Sequence, residues 1–293
     1  MYQRDRNEDI QMLEETLQIM EQGYYSFQGK KVPLKLSKEE REEAMVFLPD
    51  EVESFAHRKD FVPSVREGEC FHNCENLDSF AMARKRLTLL RSAGEESPKV
   101  LVHNLASPVH PGGGVRKGSR AQEEELCRNS SLLLSLESKD AKRYYDYNKS
   151  LPTYMGSDAI IISPKVEIIR DEEGNLLPET EVVSVITCAA PNLRYGKEGM
   201  SEIAYQAMVA KRLLGMLQCS AYYGYDHLVL GAWGCGAYHN EASDMADLFN
   251  RVLKNINYNG GKEKDLFKTI DFAVLDRRPN LYNFRSFAKH FSS

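Results

Sequence analysis

His110-Pro111-Gly112-Gly113-Gly114, followed across Val115 to Ala121 by Gln122-Glu123-Glu124, is the stretch on which the reading of this chain turns. Three consecutive glycines let a backbone take positive φ and approach a ligand with no Cβ in the way. Glycine-rich turns also aim backbone N–H groups at phosphates. Two adjacent carboxylates just beyond are unusual company for a plain phosphate cradle, because their charge repels an anion. A carboxyl in that place suits acid or base work. The combination suggests glycosidic chemistry on a phosphorylated sugar. A glycine run alone is common loop punctuation, so the surrounding sequence has to carry the rest.

Outward from that stretch, Asn104-Leu105-Ala106-Ser107 precedes the glycines at what reads as a strand end. Asp158 to Arg170 reads DAIIISPKVEIIR, Val185 to Asn192 reads VITCAAPN, and Leu230 to Asn240 reads LGAWGCGAYHN. With the glycines and the Gln-Glu-Glu, these blocks resemble the microbial-type poly(ADP-ribose) glycohydrolases, a branch of the macrodomain superfamily. That family's signature is GGG, a short variable spacer and QEE. An NFAS-type segment precedes it, and a strand pair around a Ser-Pro and a second ligand loop usually written GxWGCGxFxN follow. The resemblance runs from about Leu101 to about Asn240. Two positions depart from it. The family usually has Asn before Pro-Gly-Gly-Gly, where this chain has His110, and Phe in the second loop, where this chain has Tyr238.

The resemblance implies a metal-independent, cofactor-free glycosidase. It would hydrolyse ribose–ribose O-glycosidic bonds of poly(ADP-ribose), or of an ADP-ribosylated macromolecule, and release ADP-ribose. Cleavage from chain ends is expected, because the family encloses the ligand's terminal end. Glu124 would protonate the departing ribose oxygen while positive charge builds on the anomeric carbon, then take a proton from the attacking water. Glu123 would hydrogen-bond hydroxyls of the distal ribose. Adjacent helical residues diverge by about 100°, so the two carboxylates are expected to have different jobs. Proximity of Glu123 is expected to favour a protonated Glu124. Gln122 is expected to hold the architecture of the site, and Glu125 to be a solvated first-turn acid complementing the helix dipole.

Gly112, Gly113 and Gly114 would wrap the ligand where sugar joins pyrophosphate. Gly234, Cys235, Gly236 and Ala237 look like the second phosphate loop, and Tyr238 would lay its ring on the ligand beside it. Asn104 could donate to and accept from a ribose hydroxyl, or merely cap a turn. Cys235 has no sequence partner that would make it a nucleophile, and His103 and His110 read as structural. Two rival functions remain. One is a hydrolase removing ADP-ribose from mono-ADP-ribosylated protein or nucleic acid. The other is a non-catalytic ADP-ribose reader, which would need no acid pair.

The chain has 293 residues, enough for a sizeable core. Its 42% hydrophobic and 28% charged residues are ordinary for a globular protein. A formal net charge of -5 gives no basic footprint for sequence-specific nucleic-acid binding. No apolar run reaches the roughly 20 residues needed to span a bilayer, and MYQRDRNEDIQ lacks the apolar segment of a signal peptide. No membrane partner is expected. The expected location is the cytoplasm, or the nucleus of a eukaryotic cell. The six cysteines are scattered and read as reduced thiols. Cys70-Phe71-His72-Asn73-Cys74 offers zinc-type ligands, but no second ligand pair stands at a convincing spacing, so no metal site is expected.

The first third reads as helical. Ile10, Leu13, Leu17, Met20 and Tyr24 share a face, Ser37 with Glu40 forms a capping box, and Leu77 to Leu90 is periodic. From Lys99 onward strands and helices alternate. Strands are expected at Val100–Val102, Ile160–Ile162, Val166–Ile169, Val182–Thr187, His227–Leu230 and Thr269–Leu275, with a polar turn at Asp171–Gly174. Helices are expected after Ser119, which lies three residues before Gln122 in a second capping-box pattern, over Ile203–Leu217, around Met245–Leu253 and around Leu281–Phe291. This alternation predicts an α/β fold. With the resemblance it implies a macrodomain-like three-layer α/β/α sandwich with a mixed sheet. Residues 1–97 would be an N-terminal helical extension packed on a catalytic core of residues 98–293.

Overall fold

The computed structural model describes residues 5–292. The apolar run at Val100 extends to Leu105 as strand β5 (Val100–Leu105), buried at every residue but the last. Burial on both faces is the mark of a central parallel strand, and β5 lies in the middle of the sheet. The other sheet strands are β3 (Met45–Phe47), β4 (Phe71–Glu75), β6 (Ile160–Arg170), β7 (Leu176–Cys188), β8 (His227–Leu230) and β9 (Thr269–Ala273). Their order is β3-β6-β7-β5-β8-β9-β4. Strands β7, β5, β8, β9 and β4 run parallel, while β6 is antiparallel to β7 and to β3. A separate hairpin joins β1 (Tyr24–Phe27) and β2 (Lys30–Pro33).

The helices are α1 (Arg6–Gln22), α2 (Lys38–Glu42), α3 (Pro49–Phe55), α4 (Ser79–Ser92), α5 (Gln122–Asn129) and α6 (Leu132–Leu136). They continue with α7 (Lys142–Ser150), α8 (Glu202–Tyr222), α9 (Ala242–Asn255), α10 (Glu263–Leu266) and α11 (Tyr282–Phe291). Side chains alternate across the sheet. Leu101, Ile160 and Ile162 pack with α3, α8, α9 and α11 on one side. Val100, Val102 and Ile161 pack with α1, α4, α5, α6 and α7 on the other. The result is the expected three-layer sandwich. Among the described residues no helix is long and apolar enough to cross a membrane.

Three local expectations need correcting. Ile160–Ile162 and Val166–Ile169 belong to one strand, β6, whose register with β7 shifts between Ser163 and Val166. Pro164 has no N–H to give the ladder there, so the run reads as interrupted while the strand continues through an irregularity. Tyr24 leaves the helix it was assigned to, because Gly23 ends α1 in a left-handed cap at φ 77°. The first third is also not only helical. It supplies β3 and β4, the two edges of the sheet, so the sheet takes strands from both sides of residue 97. Strands of three and five residues are too short to show a period in sequence. The polar turn at Asp171–Gly174 is present, with Asp171 accepting from the Glu173 and Asn175 amides.

Candidate active site

The parallel strands end together, and the crevice beyond the carboxyl ends of such strands is where ligands bind in α/β sheets. Here a cleft of about 590 Å³ lies between the loop after β5 and the loop after β8. Gly113, Gln122, Glu123, Glu124, Gly234, Gly236, Ala237 and Tyr238 all line it. Residues from two parts of the chain more than a hundred positions apart thus meet in one cleft. Asn104, Gly112, Gly114 and Cys235 are not among the lining residues and stand behind them.

The loop after β5 is folded around the acid pair. The Gly114 N–H donates to Glu124 Oε1 at 2.8 Å, and the Ala121 N–H donates to Glu124 Oε2 at 2.9 Å. A Cβ on Gly113, whose φ is 60°, would stand 2.5 Å from Glu124 Oε1 and 3.1 Å from Glu123 Oε2. Only glycine fits that conformation and that space together. Ser119 is not the helix cap that its spacing predicts. Helix α5 begins after Ala121, which has no side-chain acceptor, so the Glu124 carboxylate reaching back to the Ala121 amide is what closes its first turn.

Glu123 is almost wholly buried. It accepts from the Ser107 N–H at 2.7 Å and from Asn104 Nδ2 at 3.2 Å. Burial pushes its carboxyl up to about 8, the neighbouring Glu124 adds to the rise, and hydrogen bonds from Ser107, Asn104 and Gly112 only partly oppose it. Burial thus favours the protonated form of Glu123. Asn104 is fully buried at the end of β5. Its Nδ2 also donates to Thr187 Oγ1 at 3.2 Å, and its Oδ1 has no hydrogen-bond partner among the described residues. Asn104 is not among the cleft-lining residues, and its unmet acceptor lies in the wall behind Glu123.

Gln122 is architecture, as expected. Its Oε1 accepts from the Leu105 N–H at 2.8 Å, and its Nε2 donates to His103 O at 2.7 Å and to Ser79 Oγ at 3.0 Å. One side chain thereby ties β5, α4 and α5 at the mouth of the cleft. Glu125 is more than a solvated acid. It lines the cleft and accepts from the fully buried Arg128 at 2.8 Å. Arg128 and Arg120 both face buried Asp9 of α1, and Thr16 of α1 donates to Arg128 O at 2.6 Å. The N-terminal helix therefore braces the helix that carries the acids. The periodicity of α1 could not show this, because Asp9 and Thr16 are polar residues on its buried face.

The loop after β8 is built differently. Its centre is Asn240, whose Nδ2 donates to Pro191 O at 2.9 Å, Gly234 O at 3.2 Å and Tyr238 O at 3.4 Å, while its Oδ1 accepts from Tyr205. Gly234 has φ 73°, and a Cβ there would press on Asn240 and stand 2.7 Å from the Ala190 Cβ. Trp233 is fully buried and donates from its indole to Cys188 O at 3.0 Å. Cys235 donates to Trp233 O at 3.5 Å and its thiol is pushed up by burial, so it is an inert packing group. Tyr238 is partly buried, its hydroxyl pushed up to about 12 by burial and then by Glu123. His103 is buried and held down to about 4 by burial, a neutral structural imidazole. His110 is exposed and serves the loop through its backbone, accepting from the Gly113 amide at 3.0 Å.

Sequence reading missed Asp78, Ser79, Arg120, Arg277 and Asn283 as lining residues. Asp78 caps α4, a pattern visible before the apolar run. Arg277 and Asn283 follow the end of β9 and acquire a place only once the strand order is known. The fold and the site together define a macrodomain-type hydrolase, with a glycine loop closed on an acid pair and a second glycine loop opposite.

Comparison with known proteins gives the family. The description "Microbial-type PARG, catalytic domain" matches residues 13–171, and the chain belongs to that family of poly(ADP-ribose) glycohydrolases. The crystal structure of the poly(ADP-ribose) glycohydrolase from Thermomonospora curvata is similar at 28% identity and TM-score 0.86, over 97% of this chain and 100% of that one. The same enzyme bound to the inhibitor ADP-HPD matches with TM-score 0.83 at the same identity and coverage. The poly(ADP-ribose) glycohydrolase of Deinococcus radiodurans in complex with ADP-ribose is 32% identical, with TM-score 0.72, over 88% of this chain and 98% of that one. A search of curated protein sequences finds no match.

Proposed function

We propose that this cleft hydrolyses the ribose–ribose O-glycosidic bond of poly(ADP-ribose) from the chain end and releases ADP-ribose, with Glu124 as general acid and then general base. The observation that carries the reading is the Glu124 carboxylate fixed at the cleft wall by the Gly114 and Ala121 amides. Two N–H bonds hold its orientation at the wall of the cleft, where a leaving oxygen would meet it. Glu124 donates a proton to the departing ribose oxygen as positive charge grows on the anomeric carbon. It then accepts a proton from the water that adds there, which restores the acid. The buried Glu123 orients the ribose, with the unmet Asn104 Oδ1 beside it. The glycine loop after β8 offers backbone N–H groups to the pyrophosphate, and the Tyr238 ring supplies an apolar face. A cleft of about 590 Å³ suits one ADP-ribose unit rather than a stretch of polymer, which supports cleavage at the end.

The raised Glu123 favours a second reading, in which Glu123 holds the transferred proton and Glu124 orients the sugar. One panel tests both. Labelled polymer, mono-ADP-ribosylated protein and ADP-ribosylated nucleic acid are incubated with the wild type and with Glu123→Gln and Glu124→Gln. Release of ADP-ribose from polymer, lost most completely in Glu124→Gln, is the expected result. Release only from the mono-ADP-ribosylated substrates overturns the polymer assignment, and residual turnover lower in Glu123→Gln moves the acid by one residue.

A further inference from the structure

At the other end of the sheet, Cys70, His72 and Glu263 bring one ligand atom each within 4.8 Å of one another. Cys70 and His72 stand two residues apart where β4 begins, and that spacing sets both side chains on one face of a strand. Glu263 opens α10, far away in sequence, and its Oε1 lies 2.7 Å from His72 Nε2. We infer that Cys70, His72 and Glu263 form a zinc-type metal site that clips the edge strand β4 to α10.

The donor set supports this assignment. Thiolate, imidazole and carboxylate together suit zinc, whereas magnesium and calcium take oxygen ligands. An ion bonded at about 2.0–2.3 Å holds its ligand atoms roughly 3–4 Å apart; the three atoms lie within 4.8 Å of one another, and an ion entering would part His72 Nε2 from Glu263 Oε1, now 2.7 Å away. One thiolate and one carboxylate neutralise a divalent ion, and the fourth position is left for water. All three residues are partly exposed, so an ion has a path in.

The position gives the site a purpose. Strand β4 is paired on one side only, to β9, and unpaired edges are the weak rim of a sheet. The cluster sits at the start of β4, while Leu77, Asp78 and Ser79, beyond its other end, line the cleft. A metal there braces the sheet and takes no part in turnover. The sequence could not show it. Cys70-Phe71-His72-Asn73-Cys74 suggests a two-cysteine motif, but the third ligand is Glu263 rather than Cys74, and only the fold brings it near.

The test uses the full chain, reduced and stripped with a chelator, and Co²⁺ as the spectroscopic probe. One equivalent should give a thiolate-to-cobalt charge-transfer band with tetrahedral ligand-field bands, both displaced by Zn²⁺. Cys70→Ser should lose the charge-transfer band. His72→Ala and Glu263→Gln should weaken Co²⁺ affinity by about tenfold or more, since even outer-shell changes cost that much. Zn²⁺ should raise the melting temperature of the wild type and not that of Cys70→Ser. ADP-ribose should still stabilise each variant, which shows that the fold survives, and polymer turnover should be equal with and without Zn²⁺. A wild type that gives no band in excess Co²⁺ overturns the proposal, as does a band that survives in Cys70→Ser. If Cys70→Ser does not fold, unchanged Co²⁺ affinity in Glu263→Gln overturns it as well.

Discussion

The two glycine loops face each other across one cleft and are held by opposite means. The loop after β5 closes on charge, since Gly114 donates to Glu124 and Gly113 lies against both carboxylates. The loop after β8 closes on a neutral carboxamide, Asn240, which gathers three backbone carbonyls and the Tyr205 hydroxyl. In the first loop the carboxylate proposed to do the chemistry is also the group that holds the structure. In the second, the scaffold residue Asn240 and the proposed ligand contact Tyr238 are separate. Substitutions in the first loop should therefore damage position and chemistry together, while those in the second should separate binding from turnover.

The largest effect should come from Glu124→Gln. An amide keeps the shape but cannot deliver the proton, and general acid–base help is worth about 10²–10⁴-fold. Single-turnover release from polymer should fall by that much or more, while ADP-ribose should still raise the melting temperature through linkage. Near wild-type turnover would break the link between loop and chemistry.

Gly113→Ala should follow, with turnover down by about 10²-fold, the cost of a misplacement near 1 Å. The new methyl would stand 2.5 Å from Glu124 Oε1 at a backbone conformation alanine resists. Gly236→Ala is the matching control in the other loop. A Cβ there meets no protein atom within 4 Å, so the loop should keep its fold and any cost should fall on ligand affinity, with saturating turnover hardly changed. Equal losses in the two variants would erase the contrast between the loops.

The pH dependence sharpens the same point. Turnover that needs a protonated Glu123 should decline as pH rises through about 8, and Glu123→Gln should flatten that limb. The sign for stability follows from the proton count. The folded pKa lies above the unfolded value of about 4.3, so over that interval the native state holds a proton that the unfolded chain has released. Stability from this group is complete below about 4.3 and is lost progressively up to about 8. Denaturant midpoints of the wild type and Glu123→Gln across that range would show it, and parallel curves would contradict it.

Glu125→Gln tests the brace behind the first loop. It weakens the pair with buried Arg128 while Asp9 remains. A charged hydrogen bond reduced to a neutral one should cost about 1–2 kcal/mol. The melting temperature should fall with little change in turnover per folded molecule. A loss in turnover as deep as that of Glu124→Gln would mean that the acid has been placed at the wrong residue.

How much of this could be read from sequence depends on how local the signal was. The apolar runs of β5, β8 and β9 and the periodic helices α4, α8 and α9 declare themselves over a few residues, and both glycine loops declare themselves by motif. Strands β3 and β4 do not, because the pairing that makes them strands is supplied by β6 and β9, more than a hundred residues later. The acid pair is legible as a motif, but its surroundings are not: burial, which a sequence does not display, encloses both carboxyls and raises Glu123. The brace from Asp9 and the role of Asn240 were hidden for the same reason, since polar residues inside a fold look like surface until the fold is known.

The smallest effect should be Tyr238→Phe. The loop is held from behind by Asn240, so neither Tyr238→Phe nor Tyr238→Ala should disturb the backbone that carries the ring. Burial keeps the phenol neutral, pushed up to about 12, so at neutral pH it offers the ligand a ring face and a hydroxyl but no charge. If the ring face carries the contact, Phe should leave ADP-ribose affinity nearly unchanged. Ala should weaken it by about 1–3 kcal/mol, the range for stacking a base on an aromatic. Turnover at saturating polymer should be similar in both variants, because Glu124 is held by the opposite loop. Calorimetric titration of the two variants with ADP-ribose decides the matter. Equal losses for Phe and Ala would assign the contact to the hydroxyl, and a fall in saturating turnover would show that the second loop, like the first, couples its structure to the chemistry.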